Sequence, residues 1–315
     1  MQAKGSKGQL ILAYETAYGQ TPSPASTVKL PFNKNTLTAK QTLTEAQTIT
    51  GRRDAAVPVR GKVDVNGNLV VPMDAKFIGY WLKAMLGDPA TTGSDTYTHV
   101  FKPGDSMPSL VLEKGFTDIN AFTLYNGCKV NQFSLSLGGD SELTASLDIL
   151  GAKETLGTAS FAATPLDLPL VRFNHFQATV EENGQVLANC TGVDLNLGFG
   201  LDGDIYSISG QGCRTAISEG PLQVSGTVEV LFEDQTLLNK AINGTESSLK
   251  ITLTNGDYSF ELLLPEIVYE RTSPGIESAK GILISLPFKG YYENNAAETS
   301  IQATLVNDVA SYAME

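Results

Sequence analysis

Val193-Asp-Leu-Asn-Leu-Gly-Phe-Gly-Leu201 alternates apolar residues with polar residues or glycine. Successive side chains of a β-strand point to opposite faces, so this spacing predicts a strand with one buried and one exposed face. The same alternation returns at residues 133–137, 143–149 and 282–288. The sequence therefore predicts a mainly β fold.

A tight turn is predicted where Asn66-Gly67 separates Val63-Asp-Val65 from Leu69-Val-Val71. Asn and Gly both accept a positive φ, which the two-residue turns of β-hairpins require. We therefore expect a hairpin at this point.

Two segments carry apolar residues at helical spacing. Asp74 and Gly87 are suitable caps for the first, and Asp234 and Gly244 are suitable caps for the second. Adding 160 to the numbers of Asp74, Phe77, Ile78, Trp81 and Leu82 gives Asp234, Leu237, Leu238, Ala241 and Ile242.

The matching helices, and the matching strands around them, indicate an internal duplication. The join falls in residues 157–169, which are rich in Thr, Ala and Pro and lack periodicity. We expect two tandem β-sandwich or barrel-like domains, at residues 1–164 and 165–315, each with one flanking helix.

The charge of the chain is divided unevenly between these halves. The net charge is −12; residues 1–164 carry 15 basic and 14 acidic side chains, whereas residues 165–315 carry 7 and 20. Such an acidic protein is not built to bind phosphate groups tightly.

The residues that usually carry catalysis are scarce. The chain has two histidines, His99 and His175, and three widely spaced cysteines, Cys128, Cys190 and Cys213. No Gly-x-Ser-x-Gly motif or metal-ligand spacing accompanies them. We expect packed or loop histidines, reduced thiols, no cofactor, no metal and no enzyme activity.

One short motif has two interpretations. Gly198-Phe-Gly-Leu-Asp-Gly203 matches the dinucleotide-binding fingerprint, which requires a following helix. Ile205-Tyr-Ser-Ile-Ser209 follows and is typical of a strand instead. A glycine-rich strand and turn is therefore the favoured interpretation. No apolar run approaches the ~20 residues of a membrane-spanning helix, and no signal peptide is recognised.

Several segments in a fixed order resemble the tail tube proteins of long-tailed, siphovirus-like bacteriophages. They are Tyr14-Glu-Thr-Ala-Tyr-Gly-Gln-Thr-Pro22, Thr50-Gly-Arg-Arg53, the segment from Gly61 to Gly67, Leu82-Lys-Ala-Met-Leu-Gly87, Pro108-Ser-Leu110, Tyr125-Asn-Gly-Cys-Lys-Val-Asn-Gln-Phe-Ser-Leu135, Leu143-Thr-Ala-Ser-Leu-Asp-Ile-Leu-Gly151 and residues 265–290. The resemblance covers most of the chain.

The resemblance implies a structural virion protein whose rings stack into a hollow tube for DNA ejection. Four long strands per domain would join a continuous inner barrel, so that pairing between subunits removes exposed edges. A duplicated subunit fills a six-position ring with three chains, a pseudo-hexameric trimer. The implied partners are further copies of the chain, the tape measure, tail terminator and distal tail proteins, and passing DNA. The implied location is the virion tail, assembled in the host cytoplasm.

Acidic residues on the exposed strand faces are candidates for the channel lining, because a tube that passes DNA must not bind it. The candidates are Asp148, Asp194, Asp202 and Glu229.

Contacts between stacked rings are expected from residues 34–60 and their counterpart, residues 201–220, which differ in charge balance. The candidates are Arg52, Arg53, Arg60, Asp202, Asp204, Arg214 and Glu219. The terminal segments, residues 1–7 and 294–315, are further candidates. The alternative for the whole chain is a β-sandwich tail decoration or a receptor- or carbohydrate-binding module, which predicts exposed aromatic residues such as Tyr97, Tyr291 and Tyr292.

Overall fold

The computed structural model describes residues 2–23, 26–276 and 280–314. Within them the fold is mainly β, as the alternation predicts, with nineteen strands and two α-helices. We call residues 1–164 the first half and residues 165–315 the second half. The elements of the first half are β1 (Gly8–Tyr14), β2 (Val28–Leu30), β3 (Lys34–Asn35), β4 (Thr38–Thr44), β5 (Val59–Pro72), α1 (Ile78–Leu86), β6 (Ala90–Gly93), β7 (Tyr97–Phe101), β8 (Leu110–Phe116), β9 (Ala121–Leu137), β10 (Thr144–Gly151) and β11 (Lys153–Gly157).

The second half has the same character. Its elements are β12 (Ala178–Glu182), β13 (Gln185–Val186), β14 (Cys190–Gly198), β15 (Gln223–Leu231), α2 (Thr236–Asn243), β16 (Ser247–Asn255), β17 (Tyr258–Tyr269), β18 (Leu283–Gly290) and β19 (Gln302–Asn307). Short 3-10 turns precede β1 at Gly5–Lys7 and β12 at His175–Gln177, and a third lies at Ile208–Gly210.

A long antiparallel sheet crosses both halves, and we call it the central sheet. Its strands follow one another in the order β4, β5, β10, β9, β14, β15, β18 and β17. The first four belong to the first half and the last four to the second. The pairing of β9 with β14 therefore carries the sheet from one half into the other.

A second layer packs on the apolar face of the central sheet. In the first half it contains β1, β2, β8 and β11, and in the second half β12, β13, β16 and β19. The early parts of β9 and β17 pair with this layer, and their later parts belong to the central sheet. One cluster of buried apolar residues fills the space between the layers and spans both halves.

Strand registers correspond between the halves. Val65 pairs with Gly151, and adding 159 and 139 to these numbers gives Val224 and Gly290, which also pair. Thr38 pairs with Asn66 in the first half, and Asn196 pairs with Ser225 in the second, at offsets of 158 and 159. The offsets differ because the connecting loops differ in length.

The alternation that begins at Val193 ends earlier than predicted. Strand β14 stops at Gly198, and Gly200 has φ of +56°, a left-handed conformation that suits glycine. The chain turns there, so Leu201 and Asp202 lie in a loop. Residues 203–207 are also in a loop, so the expected strand at this point was wrong, and the helix that a dinucleotide site requires is absent from this described segment.

The hairpin expected at Asn66-Gly67 was also wrong. Both residues lie within the continuous strand β5, where Gly67 pairs with Ile149 of β10. A Cβ atom at Gly67 would lie 2.4 Å from the Cα of Leu37, so the glycine allows the backbone of a neighbouring segment to approach.

Both predicted helices are present, but their surroundings differ. Every residue of α1 is buried, whereas Ala241 is the one buried residue that α2 contains. Strands β6 and β7 lie between α1 and β8, whereas residues 244–246 alone separate α2 from β16. Strand β7 pairs with β19, so this additional hairpin also links the two halves.

Residues that follow β19 complete the cover of α1. The ring of Tyr312 occupies the space over Gly79, where a Cβ atom would lie 2.1 Å from the ring. His99 is fully buried, as expected of a packed histidine: its Nδ1 lies 2.8 Å from the Thr91 hydroxyl and its Nε2 lies 2.8 Å from the Val309 carbonyl oxygen. Burial lowers the pKa of His99, although the contact with Val309 opposes this shift.

Candidate assembly interface

The outer face of the central sheet is polar and carries charges of both signs, among them Lys40 of β4 and Lys289 of β18. Asp148, Asp194 and Glu229, three of the four acids expected to line a channel, point to this face from β10, β14 and β15. Asp202 lies outside the sheet, in the loop after β14, because the strand ends at Gly198.

Neutral side chains surround these acids and bind them. Asn68 donates a hydrogen bond of 2.8 Å to Asp148, Ser136 donates one of 2.5 Å to Asp194, and Thr191 donates one of 2.8 Å to Glu229. The face therefore combines carboxylates with hydroxyl and amide groups and with the exposed side chains of Lys40 and Lys289, the latter 3.3 Å from Glu270.

The junction between β9 and β14 joins the halves at this face. Six residue pairs form it, from Val193 with Leu137 to Gly198 with Gln132. Ser134 donates a side-chain hydrogen bond of 2.7 Å to Asn196 across it. Leu135 and Leu195, paired in the junction, are buried on its other face.

The two ends of the central sheet correspond to the two sides of this junction. Strands β3 and β4 form one end and pair with β5 alone among the described strands. They correspond to β14 at an offset of 158. At the other end, adding 139 to residues 132–137 of β9 gives residues 271–276, which follow β17 and lie in no described strand.

A protein-family comparison adds independent information. The family model described as phage tail tube protein matches residues 5–290. The chain belongs to the phage tail tube protein family. As a member it is a structural component of the virion tail. No curated protein matches its sequence.

The basic candidates for stacking in this tail tube protein are exposed. Arg52 and Arg53 lie in the loop between β4 and β5, and Arg60 lies at the start of β5. Arg52 Nη2 is 3.2 Å from the Asp54 carboxylate, in a pair whose side chains are about three-quarters exposed. Among the acidic candidates, Asp202 and Asp204 are exposed in the loop after β14.

Arg214, expected at the stacking surface, is buried and bound within the chain, so its guanidinium group is not free to contact another ring. Its Nη1 donates hydrogen bonds of 2.9 and 2.8 Å to the carbonyl oxygens of Val65 and Gly151, and its Nη2 pairs with Asp64. Arg214 thereby fixes a loop of the second half to strands of the first half.

The carboxylate of Glu219, also expected at the stacking surface, is instead bound by groups of the same chain. It lies 2.5 Å from Lys129 Nζ and accepts a hydrogen bond from the Met107 N–H. Burial opposes ionisation, but these two donors hold the pKa of Glu219 below its usual value. Neither the burial of Arg214 nor the pairing of Glu219 could be predicted from local sequence, because the partners are distant along the chain.

The structure shows no helix, in the ranges it describes, with the length and hydropathy to cross a membrane. The same ranges contain no group of three His, Cys, Asp or Glu side chains arranged to hold a metal ion. The two terminal stacking candidates extend to Met1 and Glu315, which lie outside the described residues.

Proposed function

We propose that three copies of this tail tube protein form a ring, and that the rings stack into the conduit through which phage DNA is ejected. The observation that carries this proposal is the β9–β14 junction, together with the free sheet ends that correspond to its two sides. If the halves arose by duplication, with the division at residues 164 and 165, one chain supplies two of six ring positions. Three chains then close the ring.

Chain-to-chain pairing would repeat the internal junction. The offsets place residues 271–276 of one copy beside residues 35–40 of the next, with Ser273 opposite Thr38 as Ser134 is opposite Asn196. This pairing would satisfy backbone groups at both ends of the sheet except where Pro274 lies opposite Leu37, because proline has no N–H and the Leu37 carbonyl already accepts a hydrogen bond from the Tyr125 hydroxyl. Residues 271–276 would become a strand only on assembly.

Electron microscopy of the purified protein tests the ring. The expected result is rings or tubes with six similar lobes and three chains per ring. Six chains per ring would refute the trimer, and stable monomers at high concentration would refute the assembly.

Disulfide cross-linking tests the register. Thr38→Cys combined with Ser273→Cys should give chains linked into dimers and trimers under oxidation, because the two Cβ atoms would face each other across paired strands. Each single variant is the control for reactions of the native cysteines. Cross-linking no greater than in the single variants would refute this register.

We further propose that the outer face of the central sheet lines the channel. The three carboxylates there would repel DNA, and they would act against the positive charges of Lys40 and Lys289 on the same face, of which Lys289 lies 3.3 Å from Glu270. Asp148→Lys combined with Asp194→Lys should make assembled tubes retain DNA at low salt. Asp257→Lys, which adds positive charge on the distant β16–β17 hairpin, is the control. Equal retention by the two variants would refute this assignment.

Ring-to-ring stacking is assigned to two exposed surfaces. One carries Arg52 and Arg53 in the β4–β5 loop and Arg60 at the start of β5, and the other carries Asp202 and Asp204 in the loop after β14. Charge reversal at Arg52 and Arg53 should leave rings but shorten or abolish tubes. Tubes of normal length would refute this assignment. The other tail proteins expected as partners are the tape measure, tail terminator and distal tail proteins; assembly belongs in the host cytoplasm, and the role requires no enzyme activity.

A further inference from the structure

An open groove lies beside α2 in the second half. Its walls are the β12–β13 hairpin and the segment Val230-Leu-Phe-Glu-Asp234, which leads from β15 towards α2. The groove has a volume of about 320 Å³, and the apolar side chains of Phe232, Leu237 and Leu238 contribute to its lining. Leu237 and Leu238 are only partly buried.

The corresponding groove of the first half is filled by residues 166–173. Leu166 pairs in parallel with Val28 of β2. Further along, the Phe173 N–H donates a hydrogen bond of 2.8 Å to the Met73 carbonyl, and the Val171 carbonyl accepts one of 2.8 Å from the Ala75 N–H. Phe173 is 2% exposed, so this segment completes the apolar core beside α1.

The segment that fills the first groove is the one that leads into β12, and β12 corresponds to β1. Leu12 pairs with Leu112 and Glu182 pairs with Leu249, which relates the strands by an offset of 170. The 3-10 turns at Gly5–Lys7 and His175–Gln177 precede these strands at the same offset. Gln2 and Ala3 therefore correspond to Arg172 and Phe173.

We propose that the N-terminal arm, residues 2–7, of the next copy in the ring lies at the α2 end of the open groove. This inference rests on the proposed ring. The Ala3 N–H of one copy donates to the Phe232 carbonyl of its neighbour, as Phe173 donates to Met73 within the chain. The arm carries Lys4 and Lys7, and the adjoining rim of the groove carries the exposed acids Glu233 and Asp234, so the charges are complementary.

The contact adds a second link between copies, away from the paired strands of the central sheet. In the first half this link is made by residues 166–173, which connect the two halves covalently. Between copies the arm makes it without a covalent connection, and it covers part of the apolar surface at the start of α2.

A second cysteine pair tests the arm. In the first half Arg172 and Asp74 lie opposite each other as an antiparallel bridge. At the strand offset of 159 the position that corresponds to Asp74 in this pairing is Glu233, one residue before the helix-cap counterpart Asp234, and the counterpart of Arg172 is Gln2. Gln2→Cys combined with Glu233→Cys should give disulfide-linked dimers and trimers on oxidation of assembled rings, at least tenfold above Gln2→Cys combined with Asp257→Cys. The Asp257 position is exposed on the β16–β17 hairpin and serves as the matched control.

The ring register pair, Thr38→Cys with Ser273→Cys, separates the possible outcomes. Rings that cross-link at residues 38 and 273, but no more than the control at residues 2 and 233, overturn the arm contact and leave the ring intact. Failure of both pairs, with no rings in the microscope, overturns both proposals. A link within one chain at residues 2 and 233 leaves the monomer mass unchanged on a denaturing gel and also overturns the arm contact.

Discussion

The helices α1 and α2 occupy corresponding places in the two halves, yet one is enclosed and the other is open. Trp81 of α1 is 1% exposed and its counterpart Ala241 is 6% exposed, but Leu82 is 2% exposed and its counterpart Ile242 is 43% exposed. The residues that enclose α1 have no equivalent beside α2 in the same chain. They are residues 166–173, the β6–β7 hairpin and the residues after β19. A helix can therefore be kept at one position while its stabilising contacts are supplied from different parts of the chain.

The largest effect is expected when Trp81 of α1 is replaced by alanine, the residue that α2 has at the corresponding position, Ala241. Trp81→Ala should lower the free energy of unfolding by about 3–5 kcal/mol, because a large buried side chain is lost and a cavity remains. Urea unfolding followed by circular dichroism measures the change. Leu237→Ala in α2, which is partly exposed, is the comparison and should cost clearly less; equal costs would mean that the two helices are equally well packed.

The acids that precede the two helices provide the next test. Asp74 is fully buried and its Oδ1 accepts hydrogen bonds of 2.8 and 3.0 Å from the N–H groups of Lys76 and Phe77, while its Oδ2 accepts one from Val171. Burial raises the pKa of Asp74, although these donors oppose the rise. Asp234 is exposed and accepts from the Thr236 N–H at 2.7 Å.

Asp74→Ala should cost about 2–4 kcal/mol, because it removes a cap and leaves buried N–H groups without acceptors. Asp234→Ala should cause a much smaller decrease in thermal stability. Calorimetry of both variants measures the difference, and similar decreases would show that the linker contact at Val171 contributes little.

A smaller, pH-dependent effect is expected from His99 beside α1. Because the pKa of His99 is lowered in the folded protein, the unfolded chain binds a proton more readily, and stability falls as the pH drops below about 6.5 towards the folded value. Above that pH the contribution is fully present. The loss on acidification should be reduced in His99→Gln, measured as the melting temperature between pH 7.5 and 5.5; an unchanged pH profile would contradict this role.

The smallest effect is expected at the exposed face of α2. Ile242→Gln should change the free energy of unfolding of the isolated chain by no more than about 0.5 kcal/mol. Leu82→Gln, the matched change in α1, should be strongly destabilising because it buries an amide without a partner. Urea unfolding of both variants tests the contrast, and a large loss in Ile242→Gln would show that α2 is better packed than its exposure indicates.

The sequence predicted the features that depend on local spacing. Alternation located β10 and β18, and apolar residues at helical spacing located α1 and α2, because one buried face imposes its own period. The same alternation placed Asp148, Asp194 and Glu229 on the polar face of the sheet.

Features that depend on distant partners were not predictable. The Asn66-Gly67 pair is typical of a turn, but glycine is needed at position 67 because the backbone of Leu37, from another segment, packs closely against it. Arginine is usually exposed at a protein surface, but the guanidinium group of Arg214 is buried and donates to the carbonyl oxygens of Val65 and Gly151. Residues 271–276 lack alternation, so their correspondence to β9 became apparent only from the strand registers.

Tyr312 also bears on the order in which the packing around α1 can be completed during synthesis. Its hydroxyl donates a hydrogen bond of 2.9 Å to the Lys76 carbonyl, across a sequence separation of 236 residues. While the ribosome is still translating the second half, the space over Gly79 lacks its ring and β7 lacks its partner β19. The contacts that enclose α1 can therefore be completed only after residues 303–312 have been synthesised.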